Sequence, residues 1–232
     1  MSTVRILTGT IAAAMVVSVP ARAQLGGKFV VTPYVGAYLP STDIAKVNLA
    51  VPGSSLDASL KHQASAAFGA NASYWINDRF AIEGGVLYSR SDVKTAIAVN
   101  DNGDVTAGSA SNHANVWLGS TKLMVQLLPQ ESSFNLRFGI GPAIIARSGS
   151  AFTSGDIINK YTGLTDFGAA MSLCSRLALT PNLGLRIRLE NYMYKAKLDG
   201  QDVLGPGQNF SFDSRMQNDL VLSAGLQLFL NR

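Results

Sequence analysis

The sequence predicts an all-β fold, an eight-stranded antiparallel up-and-down transmembrane β-barrel, and three observations carry that prediction. Apolar residues recur at every second position in eight stretches, the signature of a strand with one apolar face. The connections between those stretches alternate strictly between short and long. Charge is scarce: 15% of the 232 residues are charged and 47% are apolar, whereas an ordinary soluble domain carries roughly 25% charge.

Composition also excludes several classes. So apolar a chain is not disordered. One Cys can neither close an internal disulfide nor build a multi-Cys zinc site. The first 23 residues read as a secretory signal peptide: one positive charge in Met1–Arg5, an apolar run over Ile6–Val19, and the small-x-small site Ala21-Arg22-Ala23 before Gln24. That run falls short of the roughly 20 residues a membrane-spanning helix needs. Removing Arg5 and Arg22 leaves 17 basic against 15 acidic residues, so the barrel domain, 24–232, carries only +2. Such a balance gives no support for a nucleic-acid partner. Beyond residue 24, Gly, Ser or a charge interrupts every apolar stretch within a few residues, which rules out a helical membrane protein.

The eight stretches run, in order, over Gly27–Leu39, Gln63–Ile76, Phe80–Ser91, His113–Leu128, Phe134–Arg147, Thr165–Thr180, Leu183–Ala196 and Gln217–Leu230. Two show the alternation most clearly. Leu220, Leu222, Ala224, Leu226, Leu228 and Leu230 alternate with Val221, Ser223, Gly225, Gln227 and Phe229, and Phe134, Leu136, Phe138 and Ile140 alternate with Asn135, Arg137 and Gly139. Residues 77–79, 129–133 and 181–182 are tight turns of Asn, Asp, Pro and Ser. Residues 40–62, 92–112, 148–164 and 197–216 are long, polar loops. One end therefore carries short turns and the other long loops.

This pattern, together with the Thr32-Pro33-Tyr34-Val35-Gly36 opening strand and the Leu220–Phe229 closing strand, resembles the small eight-stranded outer-membrane β-barrels, the family of the outer membrane protein A membrane domain and outer membrane protein W. The chain departs from that family in ending Phe229-Leu230-Asn231-Arg232 and not on an aromatic residue. The resemblance implies a bacterial outer-membrane location, contact with outer-membrane lipid and lipopolysaccharide, delivery by the barrel-assembly machinery, a monomer, and no cofactor. Closure follows from physics: an unsatisfied backbone group in hydrocarbon costs several kcal/mol, so the eighth strand must pair with the first.

Aromatics sort into two belts if the short turns are periplasmic. Tyr74, Trp75, Phe80, Phe134 and Phe229 fall near the turns, and Tyr38, Tyr88, Trp117, Phe167 and Tyr192 near the loops. The competing architecture is a soluble lipocalin-like barrel with its apolar face around a ligand. Against it, the other face is small at Gly69, Ser73, Gly85, Ser120, Gly139, Gly141, Gly168, Ala170 and Ser172, where a solvated exterior would carry Lys and Glu.

Following the alternation inward places Glu83, Lys122, Arg137, Arg176, Arg186, Arg188 and Glu190 in the lumen. Glu83, Arg137 and Arg186 fall in roughly one layer, the 180–182 turn sets Arg176 opposite Arg186, and Glu83 is the acid placed to bridge across. Two acids against five bases leave a surplus of three positive charges, which, unless some arginines reach water, an anion or the lipid headgroups would balance. An ion-pair network filling the barrel is the expectation, with anion preference if the lumen conducts at all.

Catalysis has little support. The lipid A deacylases of similar size carry a His-x-Ser pair, whereas the two histidines here read His62-Gln63-Ala64 and His113-Ala114-Asn115, leaving a base with nothing to activate. Both are read as solvated rim residues. Asp101-Asn102-Gly103-Asp104 has too few oxygen ligands for a calcium loop and reads as a tight turn. Cys174 points inward as a space-filler. The four loops hold nine Asp against six Lys or Arg, opposite in sign to a nucleic-acid site. The sequence therefore points to an outer-membrane barrel with a structural or surface-interaction role, the second reading being a narrow channel for small apolar or anionic solutes.

Overall fold

A computed structural model describes residues 29–51, 54–102, 104–128, 134–152, 160–162, 164–180, 182–201, 210–211 and 215–230. The predicted signal peptide at 1–23 and the predicted turn at 129–133 lie outside the described residues. β1 (Phe29–Pro40) leads into a hairpin of β2 (Ala45–Val51) and β3 (Ser54–His62), which hands the chain to β4 (Ser65–Trp75). β5 (Phe80–Ser89) likewise leads into β6 (Val93–Asp101) and β7 (Asp104–Asn112) before β8 (Asn115–Gln126) returns. β9 (Phe134–Ser148) ends at the 3-10 turn Ser150–Phe152, followed by β10 (Lys160–Thr162) and β11 (Thr165–Thr180). β12 (Leu183–Ala196), β13 (Asp199–Gln201), β14 (Phe210–Ser211) and β15 (Arg215–Phe229) complete the chain.

Eight of these strands close into an antiparallel barrel in the order β1-β15-β12-β11-β9-β8-β5-β4. The seam pairs Val30 with Phe229 and Leu39 with Leu220, so the first and last barrel strands leave no open edge. The tight turn after β4 is an Asx turn, Asn77 Oδ1 accepting from the backbone N–H of Arg79 and of Phe80, each at 2.9 Å. At the other end Gly149 adopts φ +120°, and a side chain there would meet the His113 carbonyl, so only glycine lets β9 fold over into the 3-10 turn.

Polarity is inside out relative to a soluble barrel. Val35, Phe68, Val86, Leu123, Ile140, Leu173, Ile187 and Leu222 lie exposed on the outer wall, one from each strand. Charged and amide side chains are buried within. A lipocalin-like interior is thus excluded.

The first two long connections, predicted as long polar loops, are built of paired strands. β2, β3, β6 and β7 form their own four-stranded sheet, order β2-β3-β6-β7, carried upward from β1, β4, β5 and β8. One half of the barrel wall therefore continues past the rim. Among the described residues, the connections of the opposite half hold the 3-10 turn Ser150–Phe152 and the small β10-β13-β14 sheet.

Candidate functional site: a layered lumen beneath a half-wall

Inward alternation along β5, β8, β9, β11 and β12 brings all seven predicted lumen charges inside, each at most 4% exposed. They do not form one network. The middle layer is the tight one. Glu83 lies opposite Lys122 in register across β5 and β8, and β12 supplies Arg186, Arg188 and Glu190 at alternate positions from the far side of the barrel. Glu83 Oε2 accepts from Arg186 Nη1 and its Oε1 from Arg188 Nη2, both at 2.6 Å. Ser73 Oγ donates to the same carboxylate at 2.8 Å, and Lys122 Nζ stands 3.8 Å away. Glu190 takes Lys122 directly and Arg188 at 3.3 Å. Two acids and three cations thereby tie opposite walls together across the lumen. Buried, oriented and charge-assisted bonds of this kind are the strong ones.

The layer nearer the tight turns has no acid among the described residues. Arg137 stacks on Trp75 at 4.5 Å and donates through Nε to Gln126 at 3.3 Å. Arg176 lies opposite Arg186 in register, as expected, yet makes no contact with Glu83; its guanidinium sits 5.8 Å from the Phe229 ring. Cys174 fills space and also accepts from Arg186 Nη2 at 3.1 Å.

A third layer, at the loop end, escapes the sequence reading. Arg147 Nη1 donates to Asp166 at 2.7 Å and the same guanidinium lies 5.1 Å from the Tyr194 ring. Asp219 accepts from Tyr38 at 2.7 Å and from Tyr194 at 2.6 Å. Arg147, Asp166 and Asp219 continue the inward parity of their strands, so alternation carried to the strand ends would have found them. With these three included, the described lumen holds four acids and six bases, an excess of two positive charges.

The aromatic belts need correction. Tyr74, Phe80 and Phe134 at the turn end, and Trp117 and Phe167 at the loop end, are exposed outward. Tyr88 packs on Trp117 with ring centroids 4.8 Å apart. Tyr38, Trp75 and Tyr192 are instead buried inside, where Trp75 and Tyr38 serve the polar layers, and Phe229 is half-buried over Arg176. Each inward ring covers a charge or a polar group, which a count of aromatics by height cannot reveal.

His62 is also not a solvated rim residue. It is 2% exposed, edge-on to Tyr38 and beside Phe152, with Nδ1 3.0 Å from the Ser91 carbonyl. Burial, and secondarily the nearby Arg147 charge, push its pKa down to about 4. His113 stays partly exposed, its Nδ1 3.1 Å from Asp92. Asp101 and Asp104 pair across the β6-β7 turn, with Asn102 at φ 50°. Among the described residues no group of three or more His, Cys, Asp or Glu could hold a metal ion.

Above the rim the two faces of the wall exchange character. Ala58, Thr95, Ile97 and Val99 lie on the same side of the sheet as the buried Leu60 and Val93, which join the core cluster at the barrel mouth. The outer side carries Lys46, Asp57, Ser59, Lys61 and Lys94. A broad open depression of about 610 Å³ lies across this sheet, with Lys46, Asp57, Ser59, Ala98, Ala107 and Ser109 among its lining residues.

No protein-family model and no curated protein sequence matches the chain. Solved structures do match in fold. The outer membrane protein OprG from Pseudomonas aeruginosa aligns with a TM-score of 0.60 at 11% identity, over 89% of this chain and 97% of that one. Neisserial surface protein A gives 0.56 at 13% identity, over 88% and 97%. The outer membrane protein AlkL, solved in lipid bilayers, gives 0.53 at 16% identity, over 89% and 92%. The fold is that of the small eight-stranded outer-membrane barrels.

Proposed function

We propose that this protein resides in a bacterial outer membrane as a plugged barrel and acts at the cell surface through the half-wall built from its first two long connections. The observation that carries the reading is the reversal of polarity at the rim. Below it every strand turns an apolar side chain outward, as hydrocarbon requires; above it the outward side carries Lys46, Asp57, Ser59, Lys61 and Lys94 among small residues such as Ala96, Ala98 and Ala107, and large apolar side chains give way to charged and small ones. The membrane-facing wall would contact outer-membrane lipid and lipopolysaccharide, and the barrel-assembly machinery would insert it.

A cysteine placed at Ser109 tests both location and orientation, since the native Cys174 is buried. In intact cells a membrane-impermeant maleimide should label Ser109→Cys and leave the parent protein unlabelled. Labelling that requires prior rupture of the outer membrane would overturn the orientation. Recovery of the protein only in the soluble periplasm would overturn the location.

The narrow-channel reading is disfavoured by one observation: the Glu83, Arg186 and Arg188 ion pairs span the lumen from β5 to β12. Steady single-channel currents from the parent protein in planar bilayers would restore it, with anion selectivity as the expected sign.

A further inference from the structure

The turn-proximal lumen layer is electrostatically and chemically incomplete. Gln126 on β8, Asn135 and Arg137 on β9, Arg176 on β11 and Gln227 on β15 face inward at nearly one height. Gln126 pairs with Arg137 and Asn135 with Arg176, while Gln227 pairs with Gly184, over which the stem of Arg176 lies. Arg137 and Arg176 are diagonal neighbours, about 7 to 8 Å apart at the backbone for such a pair. Both are nearly fully buried, and no carboxylate among the described residues pairs with either. Glu83 and Glu190 are already committed to Lys122, Arg186 and Arg188.

Around these two cations lie six buried polar atoms with no hydrogen-bond partner: the donors Gln126 Nε2, Asn135 Nδ2, Arg176 Nε and Gln227 Nε2, and the acceptors Asn135 Oδ1 and Gln227 Oε1. A buried orphan atom ordinarily signals a water or an ion that completes it. Here there is an unbalanced charge as well. The Trp75 and Phe229 rings offer each guanidinium only partial compensation. Water alone would satisfy the amides and leave two positive charges close together in a low-dielectric interior.

We infer that the turn-proximal lumen of this barrel is a binding site for a small inorganic anion, held between Arg137 and Arg176 and hydrogen-bonded by the side-chain amides of Gln126, Asn135 and Gln227. An oxyanion that carries a proton, such as hydrogen phosphate, suits a ring that offers both donors and acceptors. A halide accompanied by water shares the charge and would use the same arginines. The site lies on the short-turn side of the Glu83 layer, so it is separate from the half-wall and does not depend on its surface role.

The test uses the full mature chain folded in detergent micelles, titrated with inorganic phosphate or with sodium bromide at constant ionic strength, and read by the temperature at which the compact band of an unboiled gel gives way to the extended one. Phosphate is expected to raise that midpoint saturably in the parent protein. In Arg176→Gln the apparent affinity should fall at least tenfold, with the compact band retained. Should Arg176→Gln not fold, Gln227→Leu, which removes amide contacts and no charge, is expected to weaken binding severalfold. A saturable response to bromide but not phosphate would assign the site to a halide and overturn the oxyanion preference alone. No response to either anion, or a response unchanged in both variants, would overturn the site. Neither result bears on where the half-wall lies.

Discussion

At the residue scale, Glu83 is the side chain on which the middle layer depends, because it alone accepts from both Arg186 and Arg188. Glu83→Gln removes the charge and leaves the shape, stranding two buried guanidinium groups. Breaking a buried pair in this way typically costs about 3 to 5 kcal/mol; the expected readout is a lower denaturant midpoint for unfolding in micelles, and an unchanged midpoint would show that Glu83 carries little of the stability. His62 gives a prediction with a definite sign. Its pKa in the folded protein is about 4, below the ordinary value near 6.5, so between those pH values the unfolded chain binds more protons than the folded one. Stability from this site is complete above about pH 6.5 and is lost as pH falls toward 4. Substitution His62→Gln should flatten the pH dependence of stability across that window. The lumen charges were legible because alternation places a charged residue unambiguously on one side. What alternation could not show is which acid takes which base: Arg176 faces Arg186 and yet has no share of Glu83, since pairing across a barrel depends on side-chain reach and not on sequence spacing.

At the element scale, the eight barrel strands were legible almost to their ends. Thr165–Thr180 and Leu183–Ala196 coincide with their predicted spans, because apolar outward residues and small or charged inward ones give the alternation full amplitude. The half-wall was not legible. In β6 and β7, Ala96, Ala98, Ala107 and Ser109 stand on the outward side, and small residues contrast too weakly with Thr95 or Gly108 for a period to emerge. Those strands are fixed by neighbours: β6 pairs along its whole length with β3 on one side and β7 on the other. They lie outside the closed ring, so their removal opens no edge within it. A chain in which a two-residue Asn-Gly turn replaces residues 93–112, and with them the β6-β7 half of the half-wall, is expected to keep its heat-dependent gel shift. Loss of the shift would show that the half-wall is required for the barrel.

At the scale of the whole molecule, outward apolar strands, a lumen crossed by ion pairs and a four-stranded sheet carried above the rim make a fold with two unlike ends. The turn end carries the Arg137 and Arg176 layer, which has no acid among the described residues. The loop end is tall and closed beneath by Arg147, Asp166 and Asp219. A bore crossed at mid-height by ion pairs should pass no steady current, and neutralising the crossing is the way to expose a path. The double variant Glu83→Ala with Arg188→Ala, if it retains the compact band, is expected to show conductance in planar bilayers where the parent shows none. Equal silence in both would place the block elsewhere, in the Arg147 or Arg137 layer.

The seam between β1 and β15 has a kinetic meaning. Val30 meets Phe229 across nearly the full described length of the chain, whereas every other barrel pair joins consecutive barrel strands. Hairpins can form as soon as their two strands exist; the seam must wait for the last strand, and it bears the largest loop-closure entropy of any contact in the ring. Until it forms, two rows of unpaired amides and carbonyls face whatever surrounds the chain. Ring closure is therefore the expected slow, committing event of assembly. Joining the native ends and opening the chain at the Asn77–Arg79 turn would convert the seam into a local hairpin, and it should move the slow step to β4 and β5 without changing the finished barrel.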